Sequence, residues 1–129
     1  MTIAGLNHFT VLTEDLEATR AFYIGILGFT EGPRPPLNFP GAWFYAGGEP
    51  VVHIVAGSRM PEDPAGVLDH MAFSATDLKG TLAKLKAKGI NYELRRQVGY
   101  GTWQIFFHDP NGAKLELDFS PEEPAPIGT

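Results

Sequence analysis

The chain has no cysteine, and this absence narrows its chemistry. Disulfides, thiolate zinc sites and cysteine nucleophiles are excluded, so any metal ion must be held by histidine, carboxylate or backbone oxygen. Long apolar runs are also missing, because none approaches the roughly 18 residues that span a bilayer. The N-terminus shows no basic region followed by an apolar stretch and a cleavage site. We therefore expect a soluble, cytoplasmic protein that does not associate with membranes.

Positive charge is scarce as well. Lys and Arg number 10 against 15 Asp and Glu, which gives a formal net charge of −5. Because the cations are scattered along the chain, they form no stripe that would neutralise phosphates, and nucleic acid is not an expected partner. The 15 glycines and 11 prolines among 129 residues predict many turns between short elements, which disfavours a helical bundle.

The first half of the chain predicts the element order βαβββ. Residues 3–12 are mostly apolar or β-branched with alternating character, which indicates a strand. Asp15 then opens a segment with apolar residues at helical spacing, and Gly28 ends that helix. Shorter strands are predicted near Phe29, at 43–46 and at 51–56.

The second half repeats this order. After a linker at 57–66 that is rich in Gly and Pro, residues 68–75 predict a strand. Asp77 caps a helix that carries leucines on one face, and Gly89 ends it. Three further strands are predicted at 92–98, 101–108 and 113–119.

These elements predict an α+β fold. We expect a single domain, 1–119, made of two tandem βαβββ modules at about 3–56 and 68–119. Residues 120–129 are expected to form a flexible tail, because three prolines and two glutamates leave little apolar surface to order them.

Equivalent residues of the two halves lie at a nearly constant separation, as a duplicated module requires. The separation is 62 residues for His8 and His70, Asp15 and Asp77, Leu16 and Leu78, and Thr19 and Thr81. It is 60 residues for Trp43 and Trp103 and 63 for His53 and Glu116. Short insertions and deletions account for this drift.

Four residues able to bind a metal therefore form two repeat-related pairs. His8 and His70 share a place in the first strand of each half, and His53 and Glu116 share a place in the last strand. Alternation along the strands turns all four away from the bulky apolar face. Taken singly, each histidine is more often structural and a glutamate is more often a solvated charge. Their joint placement favours one divalent metal per chain, and imidazole with carboxylate suits Fe, Zn, Ni, Mn or Co better than calcium.

Several segments resemble the vicinal oxygen chelate superfamily, which comprises glyoxalases, bleomycin resistance proteins and dioxygenases. These are 6–11, 21–29, 69–73 and, most specifically, 108–117, where an Asp-Pro-Asn-Gly turn precedes Leu-Glu-Leu. The resemblance covers residues 3–119. It implies that the modules form a half-barrel around one metal, that His8, His53, His70 and Glu116 are its ligands, and that the protein is a homodimer.

The resemblance also implies an enzyme that acts on a small oxygen-chelating substrate. In glyoxalase I the position of His53 is typically glutamate, and glutamates at the metal act as proton-transfer bases, so Glu116 and His53 are the catalytic candidates. Glyoxalase I-like lyase or isomerase chemistry is the leading expectation. An extradiol-type ring-cleaving dioxygenase, a fosfomycin-type thiol transferase and a protein that sequesters a small ligand without turnover are the alternatives.

Substrate contacts are harder to predict. Four arginines lie in or near loops and suit anionic groups, although solvated surface explains each of them: Arg34, Arg59, Arg95 and Arg96. Four aromatic residues suit a pocket wall, although core packing explains them equally well: Trp43, Tyr45, Tyr100 and Trp103.

Overall fold

A computed structural model describes residues 1–126 as two compact units, of which the first is Met1–Pro64 and the second begins at Ala65. Each unit contains one four-stranded mixed sheet and follows the order βαβββ. The predicted α+β fold with two such modules is therefore confirmed. No helix among residues 1–126 is long and apolar enough to cross a membrane.

The first unit pairs its first and last strands in parallel. Its elements are β1 (Phe9–Thr13), α1 (Leu16–Arg20) with a π-helical continuation (Ala21–Ile26), β2 (Thr30–Glu31), β3 (Gly41–Ala46) and β4 (Glu49–Ala56). The sheet order is β1-β4-β3-β2, and the pairs other than β1 with β4 are antiparallel.

The second unit has the same topology. Its elements are β5 (Met71–Ser74), α2 (Leu78–Ala87), β6 (Glu93–Arg96), β7 (Trp103–His108) and β8 (Lys114–Phe119). The sheet order is β5-β8-β7-β6, with β5 parallel to β8.

The two helices begin in the same way, which confirms the separation of 62 residues at this point. Asp15 and Asp77 each accept a hydrogen bond from the backbone N–H three residues later, as N-cap residues do. In addition, the Thr19 hydroxyl donates to the Asp15 carbonyl oxygen at 2.9 Å, and the Thr81 hydroxyl donates to the Asp77 carbonyl oxygen at 2.8 Å. The duplicated sequence therefore builds duplicated local contacts.

Strand register corrects one predicted equivalence. Trp43 lies opposite His53 across β3 and β4, whereas Phe106 lies opposite Glu116 across β7 and β8. The counterpart of Trp43 is thus Phe106, and the pairing of Trp43 with Trp103 was wrong. Matching side-chain types suggested that pairing, but the backbone hydrogen-bond ladder decides which residues are equivalent.

The first strand of each unit starts later than predicted. Pairing begins at Phe9 in β1 and at Met71 in β5, rather than at residues 3 and 68. Ile3 and Leu68 are exposed, at 77% and 72%. An apolar alternating pattern favours a strand, but the strand extends only as far as a neighbour supplies backbone partners. The sequence predicted that His8 and His70 lie within these strands. In the structure each of them lies one residue before its strand begins.

The apolar core lies against one face of each sheet. Phe44 is fully buried and stacks on Tyr23 of the π-helical segment, with ring centroids 5.4 Å apart. Val52 and Ile54 of β4 are buried with it, whereas His53 between them is half-buried on the opposite face. This alternation is the one that the sequence predicts for the candidate ligands.

The segment after β8 contacts the fold in its described part. The Glu123 carboxylate accepts hydrogen bonds from the backbone N–H groups of Asp77 at 3.1 Å and Leu78 at 2.7 Å. The Glu123 carbonyl oxygen accepts the indole N–H of Trp103 at 3.2 Å. The composition of the predicted tail gave no sign of these contacts. Residues 127–129 of that tail lie outside the described residues.

Replacing Glu123 by alanine should lower the free energy of unfolding by about 1 to 2 kcal/mol, because two backbone donors at the start of α2 lose a charged acceptor. Urea denaturation of the purified protein measures this change. Glu122→Ala is the matched control, since Glu122 is exposed, and should change stability by less than about 0.5 kcal/mol. Equal effects of the two substitutions would show that the cap contributes nothing.

Candidate metal centre

The second unit brings two of the predicted ligands into direct contact. His70 Nε2 lies 2.9 Å from Glu116 Oε1. The contact arises because β5 and β8 are parallel neighbours in which Ala72 pairs with Glu116, and His70, two residues before Ala72, is on the same face and therefore diagonal to Glu116. Glu116 is only 7% exposed, an unusual position for a carboxylate without a compensating charge.

Two further side chains surround Glu116. Gln104 of β7 donates its amide N–H to Glu116 Oε2 at 3.0 Å, and Asp118 lies two residues along β8 on the same face. Hydrogen bonds from Asp118, Gln104 and His70 lower the pKa of Glu116 against the opposing effect of burial. Burial and the neighbouring Glu116 carboxylate raise the pKa of Asp118 to about 6. Glu116 therefore holds the negative charge of this pair more firmly than Asp118 does.

The donor set of the second unit fits a divalent cation. Imidazole nitrogen and carboxylate oxygen are ligands of Zn, Fe, Mn, Co and Ni, and here they meet at one point. Asp118 Oδ1 is buried and has no hydrogen-bond partner among residues 1–126. A buried carboxylate oxygen without a donor costs free energy, and a nearby positive charge would reduce that cost.

The first unit places His53 in the middle of a stack of three rings. Its ring centroid lies 3.7 Å from that of His8 and 3.9 Å from that of Trp43, with interplanar angles of 13° and 12°. His53 Nε2 lies 3.0 Å from the Pro50 carbonyl oxygen. Because a carbonyl oxygen only accepts, Nε2 carries the proton and the lone pair is on Nδ1. Burial, and then the proximity of His8, lower the pKa of His53, which favours the neutral ring.

The stacking of His8 on His53 limits how they can share an ion. Two imidazoles coordinate one metal when their in-plane lone pairs converge on it, whereas the stacked rings of His8 and His53, inclined by 13° at a centroid distance of 3.7 Å, have their lone pairs in two nearly parallel, separate planes. One of the two rings must rotate before both of them bind the same ion.

His8 and His70, which directly precede β1 and β5, each contact the side chain of the residue before them. His8 Nδ1 lies 2.7 Å from Asn7 Oδ1, and His70 Nδ1 lies 2.7 Å from Asp69 Oδ2. The hydrogen bond from His70, followed by the charge of Lys114, lowers the pKa of Asp69. The contact is thus repeated in the two units.

The structure pairs His70 with Glu116 in one unit and His8 with His53 in the other. Residues 1–126 contain no group of three or more His, Asp or Glu side chains arranged to hold a metal ion. The complete set of four ligands stays a prediction.

The predicted substrate contacts have different surroundings. Arg96 donates to the carbonyl oxygens of Gly101 at 3.1 Å and Pro121 at 3.2 Å and lies over the Trp103 ring, which indicates a structural role. Arg34 donates to the Phe39 carbonyl oxygen at 2.8 Å. Arg59 and Tyr100 are exposed, and the Tyr45 hydroxyl donates to the Pro33 carbonyl oxygen at 2.6 Å.

Two cations lie close to the His70–Glu116 pair. The Arg95 guanidinium lies 4.7 Å from the centroid of the Phe106 ring and the Lys114 ammonium lies 5.5 Å from it. The same ring meets His70 edge-on, at 5.9 Å between centroids. Arg95 also forms an ion pair with Glu93 at 2.8 Å. This part of the second unit therefore combines an aromatic ring with two positive charges.

Sequence reasoning missed Gln104 and Asp118. A signal was available for Asp118, because every second residue of β8 from Lys114 onward shares the face of Glu116. Gln104 carried no signal of its own, since its place opposite Asp118 depends on the register between β7 and β8.

Comparison with known proteins agrees with this fold. The chain is 31% identical over 123 residues to "Glyoxylase I 4" of Arabidopsis thaliana, covering 89% of this chain and 70% of that protein. It is 30% identical over 120 residues to the protein YaeR of Escherichia coli, covering 87% and 93% of the two chains.

Solved structures are similar as well. A glyoxalase family protein from Enterococcus faecalis has a TM-score of 0.66 at 30% identity, covering 92% of this chain and 99% of that one. The fosfomycin resistance protein FosX from Listeria monocytogenes has a TM-score of 0.74 at 25% identity, covering 91% of each chain. The family model of the Glyoxalase/Bleomycin resistance protein/Dioxygenase superfamily matches residues 5–117. The chain belongs to this superfamily.

Proposed function

We propose that the chain is a divalent-metal-dependent enzyme that carries out glyoxalase I-like lyase or isomerase chemistry on a small substrate with two neighbouring oxygens. The contact between His70 Nε2 and the buried Glu116 Oε1 is the observation that carries this proposal. The likeness to a protein named "Glyoxylase I 4" supports the choice of chemistry.

The proposed ligands are His8, His70 and Glu116, with His53 as the fourth. When bound, the metal would supply a Lewis acid that stabilises negative charge on the substrate oxygens. Gln104 holds Glu116 in one orientation through its hydrogen bond at 3.0 Å, which suits a fixed ligand better than a base that moves. We therefore assign Glu116 primarily to metal binding.

His53 is assigned to ligation through Nδ1, because Nε2 donates to the Pro50 carbonyl oxygen. The alternative is that the same lone pair on Nδ1 acts as a general base. The two roles predict different effects of one substitution.

His53→Gln should lower metal affinity by on the order of tenfold or more if His53 is a ligand. Equilibrium dialysis followed by elemental analysis measures this, and turnover is compared once a substrate is identified. His108→Gln is the matched control, since His108 is an exposed histidine at the end of β7. Unchanged metal occupancy together with abolished turnover would assign His53 as the base instead.

Fosfomycin-type chemistry on a phosphonate is the second candidate. Arg95 and Lys114 flank Phe106 beside the His70–Glu116 pair and would neutralise an anionic substrate group. The likeness to FosX supports this candidate. A structure of a FosX mutant contains Mn(II) and 1S,2S-dihydroxypropylphosphonic acid. That compound is a phosphonate with oxygens on adjacent carbons.

A substrate screen tests the proposal. Protein loaded separately with Mn²⁺, Zn²⁺, Ni²⁺ or Fe²⁺ is assayed with the hemithioacetal of an α-ketoaldehyde, with an epoxyphosphonate in the presence or absence of thiol, and with a catechol under oxygen. We expect turnover of the hemithioacetal. Turnover of only the epoxyphosphonate would indicate a fosfomycin-type enzyme instead. Turnover of only the catechol would indicate an extradiol-type dioxygenase. Stoichiometric binding without conversion would indicate a sequestering protein.

We also propose that the chain forms a homodimer, following its superfamily resemblance. Light scattering at micromolar concentration should give about twice the chain mass of 14.1 kDa. A mass equal to one chain would contradict this proposal.

A further inference from the structure

The residue before each candidate ligand histidine makes the same contact in both units. Asn7 and Asp69 are 62 residues apart, and each places a side-chain oxygen 2.7 Å from Nδ1 of the following histidine. Both side chains are exposed, so neither is needed to fill the core. A contact that recurs at equivalent positions of a duplicated module indicates a shared role.

The hydrogen-bond chemistry defines what the contact does. An amide oxygen and a carboxylate oxygen accept hydrogen bonds, so the imidazole nitrogen that faces them must carry the proton. With Nδ1 protonated, the lone pair of the neutral ring is on Nε2. In His70 this nitrogen lies 2.9 Å from Glu116 Oε1, a contact that needs a proton between the two atoms when no metal is bound and that a metal ion would replace. Histidines that bind metals commonly donate their second N–H to such an oxygen, which fixes the tautomer and the ring orientation.

We propose that Asn7 and Asp69 are positioning residues that accept the Nδ1–H of His8 and His70 and thereby direct each Nε2 toward a divalent metal. This inference rests on the proposed function, because it assigns these histidines to the metal. Lys114 lies 3.7 Å from Asp69 Oδ2 and helps to keep the carboxylate in place. His53 differs, since its Nε2 is the nitrogen that donates to a backbone oxygen.

Metal affinity tests the proposal. Asn7→Ala and Asp69→Ala should each weaken Zn²⁺ binding by about 10- to 100-fold in competition with a chromophoric chelator. The unfolding temperature of the metal-free protein should stay the same, which separates positioning from a structural role. Asn7→Asp and Asp69→Asn keep an acceptor oxygen and should restore most of the affinity. Asn91→Ala and Glu62→Ala are exposed control substitutions and should have no effect.

The tautomer of His8 gives a readout that needs no metal. Nitrogen-15 NMR of the metal-free protein should show the proton of neutral His8 on Nδ1, and Asn7→Ala should shift the ring toward the Nε2–H form. A wild-type His8 with its proton on Nε2, or unchanged Zn²⁺ affinity in both alanine variants, would overturn the positioning role while leaving the proposed function intact. A wild-type protein that binds no divalent metal would overturn both.

Discussion

Replacing Glu116 by alanine should reduce the metal content from about one ion per chain to nearly none and should abolish turnover. Glu116 supplies the buried carboxylate that meets His70 Nε2 at 2.9 Å. Loss of a charged ligand should lower activity by on the order of a thousandfold or more, because in the proposed function the metal would supply the main charge stabilisation. Elemental analysis after desalting, together with single-substrate kinetics, measures the two effects.

Two variants sharpen this test. Glu116→Gln keeps the shape and one ligand oxygen but removes the charge, so metal content should fall to an intermediate level. Glu93→Ala removes an exposed carboxylate of the same unit and should leave metal content unchanged. If a triple alanine variant at His8, His70 and Glu116 still bound one ion per chain, the assigned site would be wrong.

Replacing Phe44 by alanine should lower the free energy of unfolding by about 3 to 5 kcal/mol. Its ring is fully buried and stacks on Tyr23 at 5.4 Å, so truncation removes apolar contact area and leaves a cavity between the sheet and the π-helical segment. Urea denaturation monitored by circular dichroism gives the change, and an unaltered m value would show that the unfolding reaction is the same.

The duplicated fold supplies a second measurement of the same effect. Phe107 lies on β7 at the position equivalent to Phe44 and is 2% exposed, so Phe107→Ala should cost a similar amount. Val98→Ala is the control, because Val98 is 97% exposed and its truncation should change stability by less than about 0.5 kcal/mol. A loss below about 1 kcal/mol at Phe44 would show that this core position has been misassigned.

The helices illustrate what could be predicted from the sequence. Asp15 and Asp77 were identified as helix starts from their own chemistry and from the apolar spacing after them, and both are N-caps in the structure. Such signals are contained in a few consecutive residues. The early start predicted for the first strands failed for the opposite reason: the pairing of Phe9 with Val52 joins residues that are distant in the chain, and local apolar character says nothing of where pairing begins.

The candidate site also has a part that the sequence could predict and a part that it could not. His8, His53, His70 and Glu116 could be singled out because the repeat placed ligand-type residues at equivalent positions. The residues that contact these candidate ligands could not be predicted from the sequence. Gln104 contacts Glu116 only because β7 and β8 pair in one particular register, and Trp43 stacks on His53 because β3 and β4 do so.

The sequence by itself determined the order of the elements, the duplication and the residue types available to a metal, since periodicity and capping act between residues close in the chain. Only the tertiary structure decided that His70 meets Glu116, that Phe106 and not Trp103 is the counterpart of Trp43, and that Glu123 caps α2. These facts depend on which backbone groups of distant segments bond to one another, and a shift of one residue in register would turn each side chain to the other face of its sheet.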